Sequence, residues 1–102
     1  MSPPSLPNDE DFLDRVAARF AALGDPIRLR IIAILLDGEK PVHEIVETLG
    51  YAQSNVSKHL KRLTEGGILR RRRQGLHVYY SVEDPVVETL CVLVCESIGR
   101  AT

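Results

Sequence analysis

The stretch Ala52–Tyr80, AQSNVSKHLKRLTEGGILRRRRQGLHVYY, decides the fold of this chain. Its first half predicts a helix, because Val56, Leu60 and Leu63 fall on one stripe of a helical wheel. The other positions of that wheel carry amide, hydroxyl and cationic side chains. Such a helix is anchored in a core by one face and presents a polar, basic face on the other side.

Two strands follow this helix after a Gly-Gly stop. The segments Ile68–Arg73 and Leu76–Val82 have strand composition, and Gln74-Gly75 predicts the turn between them. Alternate side chains of a strand point to opposite faces, so one of the two neighbouring tyrosines of the second strand is expected in the core. The four consecutive arginines of the first strand are too dense for an ordinary solvated strand, which favours contact with phosphates.

The polar helix face and the arginine run together predict a DNA-binding surface. Amides and hydroxyls read base edges in the major groove, and cations hold phosphates. An ordinary solvated helix face is the alternative for the helix alone, and the hairpin that follows favours DNA. His59 is interpreted either as a DNA contact or as a residue packed at the helix edge. The candidate DNA-binding residues are Gln53, Ser54, Asn55, Ser57, Lys58, His59, Lys61, Arg62, Arg70, Arg71, Arg72 and Arg73.

Charge is concentrated in the same segment. The whole chain has a formal net charge of −1, but residues 53–80 carry seven basic and one acidic side chain. The segments on both sides of it are acidic. This asymmetry is typical of an electrostatic footprint for nucleic acid that the net charge of the chain conceals.

The other elements are predicted from caps and periodicity. A first helix spans about 9–23, with Asn8 as its N-cap, and Asp25-Pro26 starts a second. A short extended segment precedes a helix over 42–49 that Gly50 ends. A last helix spans about 85–99 after a second Asp-Pro pair.

The resulting order is helix, helix, short strand, helix, helix, strand, strand, helix. A short helix, a tight turn and a polar helix form a helix-turn-helix, and the hairpin after it is a wing. We therefore predict a mainly α fold with a small β-hairpin, a winged helix-turn-helix, in a single domain over residues 9–102. Residues 1–8 are proline-rich and are predicted to be a flexible tail.

Three segments resemble the ArsR/SmtB family of bacterial and archaeal transcriptional repressors. These are ALGDPIRLRIIAIL, SNVSKHLKRLTEGGIL and RRQGLHVYYSV, and the resemblance covers about residues 12–99. It implies a homodimer that binds an inverted-repeat operator in double-stranded DNA and releases it on an inducer signal. It also implies that the first and last helices form the dimer interface.

The chain departs from the family pattern at the N-cap of the polar helix and at the positions of the metal sites. Ala52 stands where family members usually have a Ser or Thr N-cap, and the helix VHEIVETLG lacks the cysteines of many metal-sensing members. Asp84 matches the first residue of the zinc site of other members, but Val86, Ser97 and Arg100 occupy the remaining positions. We therefore expect the usual zinc site to be absent and Asp84 to act as an N-cap.

Apolar side chains on the two terminal helices predict a dimer interface. A monomer would expose a large apolar patch there, which a two-fold interface would cover. The candidate interface residues are Phe12, Val16, Phe20, Leu90, Leu93, Val94 and Ile98, and Val86 lies on the same stripe.

Cys91 and Cys95 are the two cysteines of the chain, and they are neighbours on one face of the last helix. Three interpretations stay open: apolar packing, coordination of a thiophilic metal or metalloid, and a thiol switch. Two thiolates are too few for a full metal site, so a third ligand would have to come from a partner chain, a carboxylate or water. A cofactor is therefore either a thiophilic ion at this pair or none.

The absence of several motifs narrows the classes of function that the sequence allows. The sequence contains no Gly-rich phosphate loop, HExxH or Gly-x-Ser-x-Gly, so no enzyme is predicted. With no signal-peptide pattern and no long apolar run, the protein is expected in the cytoplasm without a membrane partner. The alternative function is a winged-helix module that binds protein or RNA without sensing an inducer.

Overall fold

The computed structural model describes residues 9–99, which form five helices and a three-stranded antiparallel sheet. The predicted tail over residues 1–8 lies outside the described residues. The order of elements and the winged helix-turn-helix are confirmed. The elements are α1 Glu10–Leu23, α2 Pro26–Leu35, β1 Lys40–Pro41, α3 Val42–Leu49, α4 Gln53–Glu65, β2 Leu69–Gln74, β3 His77–Val82 and α5 Pro85–Ile98.

Three helices begin at aspartate caps. Asp25 accepts hydrogen bonds from the backbone N–H groups of Ile27 and Arg28 at 2.9 and 3.1 Å, and Asp84 accepts one from Val86 at 2.9 Å. The predicted cap of α1 was wrong by one position. Its N-cap is Asp9, because this carboxylate reaches the amides of the first turn, at 3.0 Å from Asp11 N.

The apolar stripe of α4 is fully buried, as predicted. Val56, Leu60 and Leu63 each have 0% of their surface exposed, and they pack in one cluster with Ile31 of α2 and Ile45 of α3. Burial of each such side chain stabilises the fold by roughly 1.5–3 kcal/mol. This packing fixes the rotation of α4 about its axis and so determines which side chains face outward.

The turn of the helix-turn-helix depends on Gly50. This residue has φ 74°, in the left-handed region that favours glycine, and its N–H donates to Val46 O at 2.9 Å. α4 then begins at Ala52, which provides no side-chain cap, as the sequence indicated. No side chain of the cap residue therefore accepts a hydrogen bond from the first amides of α4.

The wing is a hairpin whose two faces differ. β3 lies between β1 and β2, and the register pairs Arg71 with Tyr80 and Arg72 with Tyr79. Directly opposed residues share a face, so Arg71 lies on the face of the buried Tyr80, which is 8% exposed. Arg72 lies on the outer face with Tyr79. The prediction that one tyrosine of the pair enters the core is confirmed.

Helix α5 buries Val87 in the core and exposes most of its apolar side chains. Val87 is 2% exposed, whereas Leu93, Val94 and Ile98 are 57%, 51% and 79% exposed. Leu90 was predicted in an interface stripe, and it is half-buried against the core of its own chain. A groove of about 700 Å³ runs between α5 and the exposed sides of α1 and α2. Within residues 9–99, every helix is too short or too polar to cross a bilayer.

Candidate nucleic-acid interface

The outward face of α4 carries almost all of the predicted helix contacts. Because Val56, Leu60 and Leu63 point inward, the polar residues between them are left exposed along one side. The first turn of α4 lies at one end of this face. Its backbone amides have no side-chain cap, and the positive end of the helix dipole lies there, so this turn suits an anionic ligand. The exposed residues are Gln53, Ser54, Asn55, Ser57, Lys58, Lys61 and Arg62.

His59 differs from the other candidate residues on α4. It is half-buried, and its Nδ1 atom is enclosed without a hydrogen-bond partner among residues 9–99. Its charge contributes to lowering the pKa of Asp25, after the larger effect of the hydrogen bond from the Arg28 amide. These neighbours place His59 beside the start of α2, which favours the helix-edge interpretation over a DNA contact.

The four arginines of β2 do not have equivalent environments. Arg70, Arg71 and Arg73 are exposed, whereas Arg72 is half-buried on the outer face. Arg72 donates from Nε and Nη2 to the two carboxylate oxygens of Glu39, at 2.9 and 2.7 Å. Its guanidinium carbon also lies 4.8 Å from the centroid of the Tyr79 ring. Arg72 is therefore held by protein groups, which competes with the predicted phosphate contact.

The Glu39–Arg72 pair was not predicted from the sequence. The two residues are 33 positions apart in the sequence. They meet because β1 and β2 both pair with β3, one on each side of it. The hydrogen bond with Arg72 lowers the pKa of Glu39 and raises that of Arg72. Because the pKa of Glu39 is lowered, the pair stabilises the fold at pH values above the ordinary pKa of a carboxyl group. This stabilisation is lost as the pH falls through the lowered pKa of Glu39. The pair is intact at neutral pH.

A cleft of about 390 Å³ separates α4 from the wing. Gln53 and Ser57 line it from the helix, and Arg71, Val78 and Tyr80 line it from the sheet. Amide, hydroxyl and guanidinium donors line it beside apolar side chains such as Val78. In a winged-helix protein with a helix in the major groove, a DNA strand passing between helix and wing would follow this cleft.

Helix α5 contains the two cysteines at the edge of the apolar groove. Cys91 is half-buried and packs against the core, Cys95 is exposed, and both are free thiols. Burial raises the pKa of the Cys91 thiol, and the neighbouring Cys95 raises it further. In the described part of the chain, the side chains of His, Cys, Asp and Glu form no group of three suited to a metal ion.

Asp84 is engaged by protein groups. Its carboxylate accepts from Arg19 Nη1 at 2.6 Å and from the Val86 amide at 2.9 Å. The salt bridge ties α1 to the start of α5, and the second contact is the predicted N-cap. Both contacts explain this carboxylate without a metal ion.

The fold and this surface define a winged helix-turn-helix protein of the class that binds DNA and regulates transcription. Residues 25–71 match the model of the bacterial regulatory protein, arsR family. The chain belongs to this family. It is 37% identical over 87 residues to the transcriptional regulator NmtR of Mycobacterium tuberculosis, which covers 85% of this chain and 72% of that protein.

Two other relatives are informative. A probable mercury resistance operon repressor of Streptomyces lividans is 42% identical over 80 residues, covering 78% of this chain and 64% of that protein. The chain thus spans less than two thirds of this relative. The solution structure of a homodimeric winged helix-turn-helix DNA-binding domain from Mycobacterium bovis, a possible ArsR-family regulator, superposes with a TM-score of 0.81 at 32% identity. The superposition covers 96% of this chain and 90% of that one.

Replacing Glu39 by Gln should strengthen binding to duplex DNA. The substitution removes the carboxylate that holds Arg72, and the freed guanidinium can contact a phosphate. The slope of log affinity against log salt should steepen by about 0.9, the value for one added phosphate contact. Fluorescence anisotropy at several salt concentrations measures this slope.

Two controls separate release of Arg72 from a change in net charge. Glu47→Gln removes the same charge from the exposed surface of α3 without touching Arg72, and it should leave the slope unchanged. Glu39→Gln combined with Arg72→Ala should lose the added slope. Retention of the steeper slope in the double variant would show that Arg72 is not the group released.

Proposed function

We propose that this protein is a transcriptional repressor that binds an inverted-repeat operator in double-stranded DNA as a homodimer. The observation that carries the proposal is the exposed polar face of α4, which burial of Val56, Leu60 and Leu63 directs outward beside the basic wing. Membership of the ArsR family supports the same function. A chromosomal operator as ligand implies a cytoplasmic protein with a non-catalytic role, and both are part of the proposal.

The two parts of the surface have different roles in this proposal. Ser54, Asn55, Ser57 and Lys58 of α4 face base edges in the major groove. Lys61, Arg62 and the exposed wing arginines hold phosphates, and Gln53 supports the contact at the helix N-terminus. Arg72 joins them only after it leaves Glu39, and His59 is assigned to packing.

The homodimer is supported by the apolar surface that a single chain exposes. Phe12 and Phe20 of α1 are 42% and 57% exposed, and Val16 between them is half-buried. Phe20 borders the groove between the helices together with Val94 and Ile98 of α5. Patches of this kind usually mark interfaces. The related domain from Mycobacterium bovis, which is homodimeric, supports a second copy of this chain as the occupant.

We further propose Cys91 and Cys95 as the site at which a thiophilic metal ion or metalloid acts as inducer. Both cysteines line the groove at the proposed interface, so an ion bound there would alter the packing of two subunits. Thiolates select soft ions, and a bound cation deprotonates its thiol ligands despite a raised pKa. The similarity to a probable mercury resistance operon repressor supports this inducer class.

The runner-up function is a winged-helix module that docks on RNA or on an acidic protein. The basic surface would serve this function equally well, and the apolar groove would then be an interface without a regulatory role. The distinguishing property is a preference for one palindromic duplex over other sequences. Selection from a random duplex library should enrich an inverted repeat, whereas the runner-up predicts no enriched duplex sequence.

Substitutions on the wing and on α4 should affect binding differently. Arg71→Ala and Arg73→Ala should weaken binding to all duplexes alike and flatten the salt slope by about 0.9 per lost contact. Asn55→Ala should relax sequence preference by about 1–3 kcal/mol at one base position. Competition anisotropy with the selected duplex and a scrambled one measures both effects.

The matched control for these variants is Arg15→Ala on the exposed surface of α1, which removes the same charge away from the wing. It should leave the affinity for both duplexes and the salt slope nearly unchanged. If the wing variants behaved like Arg15→Ala, the wing would not contact phosphates.

Replacing Leu93 by Glu should produce monomers that have lost operator binding. The side chain is 57% exposed in one chain, and a carboxylate at that position would be buried against a second copy. Analytical ultracentrifugation measures the mass, and circular dichroism checks that the helices remain. Glu88→Gln, on the exposed surface of the same helix, is a control that should remain dimeric. A wild-type monomer that bound the operator tightly would refute the dimer.

Release of the operator by Hg(II) should require both cysteines. Hg(II) should dissociate wild-type protein from the selected duplex and leave the double variant Cys91→Ser/Cys95→Ser bound. Mg(II), a hard cation that prefers oxygen ligands, is the matched control and should release neither protein. Equal release from wild type and the double variant, or release from neither, would reduce the two cysteines to packing residues.

A further inference from the structure

Two histidines from different elements meet at the rim of the cleft between α4 and the wing. His43 lies in the first turn of α3 and His77 begins β3, and their ring centroids are 6.0 Å apart at an interplanar angle of 56°. Both side chains are exposed. The His77 ring also lies 6.4 Å from the Tyr79 ring, centroid to centroid. Sequence alone did not bring these two imidazoles together, because the residues are 34 positions apart in the chain.

The cleft below this pair is built from hydrogen-bond donors. Arg71 provides a permanent cation and Gln53 provides an amide, and Ser57 borders the cleft on the side of the base edges. Imidazole adds a second N–H donor and a positive charge when it is protonated. This combination of donors fits an oxyanion, and the phosphodiester of a DNA strand lying between α4 and the wing is the one that would reach it.

Charged groups of both signs surround the pair. Glu44 and Glu47 of α3 are the acidic side chains next to and one turn beyond His43, and cations lie on the neighbouring strands. The charged and titratable groups on the elements that line the cleft are Lys40 of β1, Glu44 and Glu47 of α3, Lys58, His59, Lys61, Arg62 and Glu65 of α4, Arg70, Arg71, Arg72 and Arg73 of β2, and Tyr79 and Tyr80 of β3, with Glu39 beside Arg72.

We propose that His43 and His77 form a proton-dependent phosphate site, which makes DNA binding stronger at pH 6 than at pH 8. The proposal rests on the proposed function, because its ligand is the backbone of the bound duplex. Ordinary imidazole titrates near ~6.5, within this range. A phosphate stabilises the protonated ring, so the added affinity is present at low pH and is lost as pH rises through the range in which the bound histidines deprotonate.

The first test is duplex affinity at pH 6 and pH 8 at constant ionic strength. Wild-type protein should bind roughly tenfold more tightly at pH 6, the effect expected of one charge-assisted hydrogen bond. The variant His43→Gln/His77→Gln should show nearly the same affinity at both pH values. The chain contains three histidines, so His59→Gln is the matched control, and it should keep the wild-type ratio.

A second measurement does not depend on the variants folding normally. Imidazole resonances of the wild-type protein, followed by NMR through a pH titration, report the pKa of each histidine. Addition of duplex should raise the values of His43 and His77 and leave that of His59 in place. Inorganic phosphate at the same concentration should have little effect, because the site is completed by a DNA strand held on both sides.

The outcomes separate this inference from the proposed function. Equal binding of the wild type at pH 6 and pH 8, or unchanged titration of both rings on duplex, overturns the histidine site and leaves the DNA-binding function intact. Loss of duplex binding at every pH overturns the proposed function itself. An equal response to inorganic phosphate overturns the assignment of the DNA backbone as the ligand.

Discussion

The burial of one side of α4 is the constraint on which the rest of the structure depends. Val56, Leu60 and Leu63 have no exposed surface, so α4 cannot rotate about its axis without exposing a large apolar area. The same packing holds the amide, hydroxyl and lysine side chains outward in a fixed row. Specific base contacts require this rigidity, because a misplaced side chain loses its hydrogen bonds.

The polar surface and the apolar groove are two consequences of one small core. At this chain length the buried cluster takes side chains from every helix, but it covers only Leu23 of α1 and Val87 of α5 completely. Several other apolar side chains of α1 and α5 stay exposed, among them Phe20, Leu93 and Ile98. A two-fold interface would bury them and place two copies of α4 about one DNA turn apart, which connects stability to DNA recognition.

Local signals predicted the elements, whereas long-range pairing determined the details of the site. The Asp-Pro starts and the glycine stops encode helix ends within a few residues, so five helices and the wing could be predicted. The capture of Arg72 by Glu39 could not, because it follows from the pairing of β1 with β3. The same applies to the meeting of His43 and His77.

The most direct test of the account is methylation interference on a duplex that the protein selects from a random library. Methyl groups at guanine N7 block contacts in the major groove. A dimer with α4 in the major groove predicts two clusters of interfering guanines on one face of the duplex, about 10 base pairs apart, one for each copy of α4. A single cluster, or interference confined to minor-groove positions, would contradict the dimer with α4 in the major groove.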